Sequence, residues 1–79
     1  MDINEFIRTY FRLYYNLKPN KSIVIETIFG VDKLLNFEII DDISVIKVWL
    51  NDKKNPEMQF FSLRNVKSLY EVFNLEKWN

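Results

Sequence analysis

The sequence predicts an α+β fold: one small domain over residues 1–79 in which an N-terminal and a C-terminal helix flank an antiparallel meander of three or four strands, in the order α-β-β-β-β-α. Three observations carry this. Residues 2–17 repeat apolar side chains at three- and four-residue steps, residues 22–62 carry strand patterns, β-branched or alternating, and residues 63–73 return to helical spacing.

In the first segment, Asp2 and Glu5 have capping-box spacing. Ile3, Phe6, Ile7, Tyr10, Phe11, Leu13, Tyr14 and Leu17 then form a broad apolar face, and Lys18-Pro19-Asn20 ends the helix. Ser22–Phe29 reads as a first strand, with Gly30-Val31-Asp32-Lys33 as the turn after it. Leu35, Phe37 and Ile39 alternate with Asn36 and Glu38 as a second strand. A three-stranded version survives if Val31–Phe37 is a short helix instead. Asp41-Asp42 breaks the run before a third strand, Ile43–Leu50, and the loop Asn51–Pro56 leads to a fourth, Glu57–Phe61. Ser62 then caps a closing helix with Leu63, Val66, Leu69, Tyr70 and Phe73 on one stripe. Short links favour a meander with both helices on one face, and Trp78 is expected to fold back onto the body.

Composition narrows the function. The chain has no histidine, no cysteine, no alanine and a single glycine. It therefore lacks the usual neutral-pH proton shuttle, the thiol nucleophile, a zinc ligand set and a glycine-rich phosphate loop. Neither a catalytic residue nor a metal or cofactor site is expected, and the protein reads as a non-enzyme. Stability must come from packing, for which 38 of the 79 side chains are hydrophobic and 13 of those aromatic. Residues 1–15 carry Asp2, Glu5, Arg8 and Arg12, unlike a signal peptide, and no uncharged run has the ~20 residues of a membrane span. A cytoplasmic protein with no membrane partner is the expectation. Ile, Asn, Lys, Phe and Tyr, all with AT-rich codons, dominate the composition, as in phages and mobile elements of low-GC hosts.

The formal charge is zero but unevenly placed: +2 over residues 1–21, −4 over 22–46 and +2 over 47–79. The acidic middle includes Glu38, Asp41 and Asp42, which read either as surface and turn acids or as a patch that docks on a basic groove. Asp52-Lys53-Lys54-Asn55 is a hairpin tip with two cations. Trp49 alternates with Lys47. It is exposed, and marks a binding surface, if their face lies opposite the helices. Four aromatics fall between Tyr10 and Tyr15, more than one helix face buries, and Tyr15 lies off the main stripe. With Arg8, Arg12, Lys18 and Lys21 nearby, they suit a core, a homodimer contact or a stacking surface for nucleic acid. The partner-binding candidates are thus Glu38, Asp41, Asp42, Trp49, Lys53, Lys54 and Tyr15.

Met1–Arg8 as an opening helix, Leu50-Asn51-Asp52 at a hairpin, and Ser62–Asn79 ending in Trp78-Asn79 together resemble small phage anti-CRISPR proteins, inhibitors of RNA-guided nucleases. The resemblance implies an inhibitor of a host or anti-phage defence protein, with Glu38, Asp41 and Asp42 as the surface acids that compete with DNA. Those inhibitors are often strongly acidic, and this chain departs from them in being neutral. The function expected is a non-catalytic protein–protein interaction module of that inhibitory kind. The alternative is a small nucleic-acid-binding regulator, possibly dimeric.

Overall fold

The order of elements follows from where the chain can satisfy its backbone. In the computed structural model, which describes residues 1–41, 45–51 and 54–74, helix α1 covers Ile3–Tyr15. Asp2 caps it, its carboxylate accepting the Glu5 backbone N–H at 2.8 Å, as the Asp2/Glu5 spacing predicts. At the other end the Asn16 side chain donates to the Arg12 carbonyl at 2.7 Å. Five antiparallel strands follow: β1 (Lys21–Thr27), β2 (Gly30–Asp41), β3 (Val45–Asn51), β4 (Pro56–Ser62) and β5 (Val66–Phe73). Their order in the sheet is β4-β3-β2-β1-β5. No helix among the described residues is long and apolar enough to cross a membrane.

Three expectations are corrected. The closing helix is not formed: residues 63–65 form one 3-10 turn, and Val66–Phe73 is a fifth strand paired with β1, so among the described residues one α-helix, not two, covers the sheet. The three-residue spacing that reads as helical has two local causes. A 3-10 turn brings residues three apart onto one side, which aligns Leu63 with Val66. The register then shifts, with Thr27 opposite Val66 but Glu26 opposite Ser68, so the extra residue Lys67 returns Leu69 to the inner face. The second correction is the first turn. Ile28 and Phe29 form a two-residue connection, and Gly30, at φ +139°, begins β2 in a backbone conformation that side-chain-bearing residues rarely adopt. Third, Val31–Phe37 is strand throughout, and the sheet has five strands rather than three or four. The expected placement of Trp78 lies outside the described residues.

Chain connectivity forces the sheet to curl. Laid flat, strands ~4.8 Å apart would put β4 and β5 about 19 Å from each other. The link between Ser62 and Val66 reaches at most about 14 Å even when extended. The two edges must therefore approach, and β2 supplies the bend. It is 12 residues long, pairs with β1 through its first half and with β3 through its second, and carries extra residues at Leu35 and Ile40. The concave side holds the core: Ile23, Ile25, Leu34, Ile46, Val48, Leu50, Leu63, Val66 and Leu69, with Phe6 and Tyr10 of α1 laid over it. The N-terminal ammonium donates to the carbonyls of Leu63 and Val66, tying the start of α1 to the β4–β5 link.

Candidate interaction surface

Because α1 packs on the concave side, alternate residues of β2, β3 and β4 form a convex face that no described helix covers. Strand β3 shows this directly: Ile46, Val48 and Leu50 are buried, while Val45, Lys47, Trp49 and Asn51 are half-buried on the other side. Cross-strand register then builds two rows. Glu38, Lys47 and Phe60 stand side by side in one, and Asn36, Trp49 and Met58 in the next. Phe60 is 55% exposed, Met58 47% and Ile40 46%. The Lys47 ammonium lies 5.5 Å from the centre of the Trp49 ring and 5.9 Å from that of Phe60. That cation–π geometry fixes the lysine stem over two rings and leaves Glu38 exposed beside them.

The sequence-derived candidates separate accordingly. Glu38 and Trp49 share this face, as the convex reading of Trp49 requires, although its ring is half-buried rather than fully exposed. Asp41 ends β2 with its backbone opposite Val45. Lys54 is exposed in the β3–β4 loop. Asp42 and Lys53 lie outside the described residues. Tyr15 belongs elsewhere: it is 78% exposed at the end of α1, stacked on Phe11 and edge-on to Tyr14. Met58 and Phe60 were not among the candidates, yet a signal for them exists. A hairpin closed by Asn51 and Pro56 pairs Trp49 with Met58 and Lys47 with Phe60.

Among the described residues no group of three or more Asp or Glu could hold a metal ion. The Tyr10 phenol is held above its usual value first by burial and then by neighbouring Tyr14. That direction disfavours the nucleophilic phenolate. It also has a consequence for stability. A raised folded-state value leaves stability intact below the ordinary tyrosine range and removes it as pH climbs from there toward the folded value. Replacing Tyr10 with Phe should flatten this alkaline loss, measured as urea midpoints on either side of pH ~10; an unchanged alkaline limb would assign the loss to other groups. Comparison with protein-family models, curated proteins and solved structures finds no match.

Proposed function

We propose that this chain is a non-catalytic protein-interaction module that covers a surface of a larger protein with the convex face of β2, β3 and β4. The observation that carries the reading is the contiguous set of Lys47, Trp49, Met58 and Phe60, large side chains left uncovered by the one helix. Aromatic residues and Met are enriched at the centres of protein interfaces, and a rigid ring-and-cation cluster loses little conformational entropy on binding. Glu38 offsets the charge of Lys47, so the face suits a protein partner better than a polyanion. β4 is also a sheet edge, so its outer backbone groups can add a partner strand. The AT-rich codon bias and the anti-CRISPR resemblance direct the search to a host or defence protein met by a phage or mobile element, with occlusion as the inhibitory mode.

The test is affinity capture from lysate of a low-GC bacterial host, run in parallel with Phe60→Asp. That variant places a carboxylate at an exposed position without touching the concave core. The unmodified chain should recover one stoichiometric partner, and the folded variant none. Recovery of no partner at micromolar concentration, or equal recovery by both chains, would overturn the proposal.

A further inference from the structure

The outer face of α1 is complementary to itself when the helix is reversed. Phe6 and Tyr10 are buried toward the sheet. At about 3.6 residues per turn, Asn4, Arg8, Phe11 and Tyr15 fall within about 60° of one another on the side away from those two. All four are exposed, Phe11 at 40% and Tyr15 at 78%. Their steps of four, three and four residues are the seam spacing of a packed helix pair. Exposed Glu5 and Arg12 border this seam on one side, and half-buried Ile7 and exposed Tyr14 border it on the other. The rings hold one another in place: Phe11 is stacked on Tyr15 with planes 27° apart, and Tyr14 stands edge-on to Tyr15 at 5.6 Å.

The charges of this face are unanswered within the chain. Arg8 and Arg12 lie one helical turn apart, where like charges repel. Among the described residues neither arginine, nor Glu5, makes an ion pair. The Asp2 carboxylate is taken up by the helix cap. Acid therefore stands unpaired in the first turn and base in the later ones. Antiparallel pairing brings the acidic start of one helix to the basic end of another and opposes their dipoles.

One register satisfies every position. A two-fold axis between Thr9 and Tyr10 sets Arg8 over the second copy's Phe11 ring, a cation–π contact, and the Asn4 amide beside its Tyr15 hydroxyl. The same axis brings Glu5 to the second copy's Arg12 and Ile7 to its Tyr14, and symmetry repeats each contact. Sliding the helices by seven residues instead sets Arg12 against Arg12 or Glu5 against Glu5. A parallel pair would set Arg8 against Arg8. A lipid surface would bury Asn4 and Arg8 in the middle of the seam without partners, whereas a second copy supplies one for each.

We infer that α1 is a self-association surface, through which two copies of this chain pair as an antiparallel helix dimer with the sheets on the outside. The contact runs the length of α1, about 20 Å, so it falls at the small end of specific interfaces and holds with micromolar affinity. It leaves the convex face of β2, β3 and β4 open, and each surface can fail alone.

Sedimentation equilibrium of the full chain from micromolar to millimolar concentration provides the test. The mass should rise from 9.7 kDa toward twice that value. Glu5→Arg and Arg12→Glu lie at exposed positions outside the core cluster, and each sets like charges together at both symmetry-related pairs. Each alone should weaken self-association about a hundredfold or more. Mixed in equal amounts, the two variants place an acid against a base in every pair and should recover the dimer. Phe11→Ala should weaken the dimer roughly tenfold through loss of its ring contact. Phe60→Asp, on the convex face, should leave the mass unchanged. A monomer at every concentration, a dimer indifferent to both charge reversals, or two variants that stay monomeric when mixed would overturn the inference; so would a dimer that Phe60→Asp dissociates.

Discussion

Phe6→Ala is expected to leave most of the chain unfolded at room temperature. Phe6 is 0% exposed and sits where α1 meets the concave sheet, its ring edge-on to Phe37 at 4.9 Å. Truncating a fully buried phenylalanine costs about 3–5 kcal/mol in lost transfer energy and residual cavity. A core in a domain of this size, with no disulfide, seldom yields more than about 3–5 kcal/mol in total. The two quantities cancel, so the variant has little stability left. Phe11→Ala provides the contrast, because Phe11 is 40% exposed and its loss opens no enclosed cavity. Urea unfolding followed by near-ultraviolet circular dichroism should show a normal cooperative transition for Phe11→Ala and almost none for Phe6→Ala. A Phe6→Ala midpoint close to that of the unmodified chain would mean that α1 contributes far less than this packing implies.

The same residues show what a sequence can and cannot reveal. Helix α1 was readable because its determinants are local: Asp2 and Glu5 at the cap, Phe6 and Tyr10 one turn apart on the buried side. Strand β3 was readable for a similar reason, since Ile46, Val48 and Leu50 alternate with Lys47 and Trp49, whereas the β1–β2 boundary was not, because Gly30–Lys33 reads as a turn and is strand. The fifth strand was not. Its apolar spacing of three arises from a 3-10 turn at Leu63 and an extra residue at Lys67, and it copies the helical period. Only pairing with β1, far upstream, separates the two readings. The apolar turn Ile28-Phe29 was hidden for a related reason. Turn chemistry pointed to Gly30 and Asp32, whereas Phe29 is supported by stacking on Phe61 from β4. Half of the convex face followed the same divide. Glu38 and Trp49 could be placed from alternation, but Met58 and Phe60 join them only through the β3–β4 register.

That register also fixes where binding energy should concentrate. Trp49 stands between Asn36 and Met58 in its row, beside the Lys47–Phe60 row, at the middle of the convex face rather than its rim. Interface residues so placed are the ones whose truncation costs most, commonly 2–4 kcal/mol for a central tryptophan. At about 1.4 kcal/mol per tenfold, Trp49→Ala should weaken the captured partner by roughly 30- to 1000-fold. The loss should not come from unfolding, because Trp49 is only half-buried and lies on the side of β3 away from the core cluster. Lys47 keeps Phe60 beneath it when the indole is removed, so the rest of the cluster has no reason to collapse. Isothermal titration of the partner with Trp49→Ala and with Tyr15→Ala distinguishes the two faces of the sheet. The first substitution should abolish measurable heat at concentrations where the second leaves it intact. If Tyr15→Ala were the damaging change and Trp49→Ala stayed within twofold of the unmodified chain, the protein partner would sit on the helix side, and the convex rows would have no part in holding it.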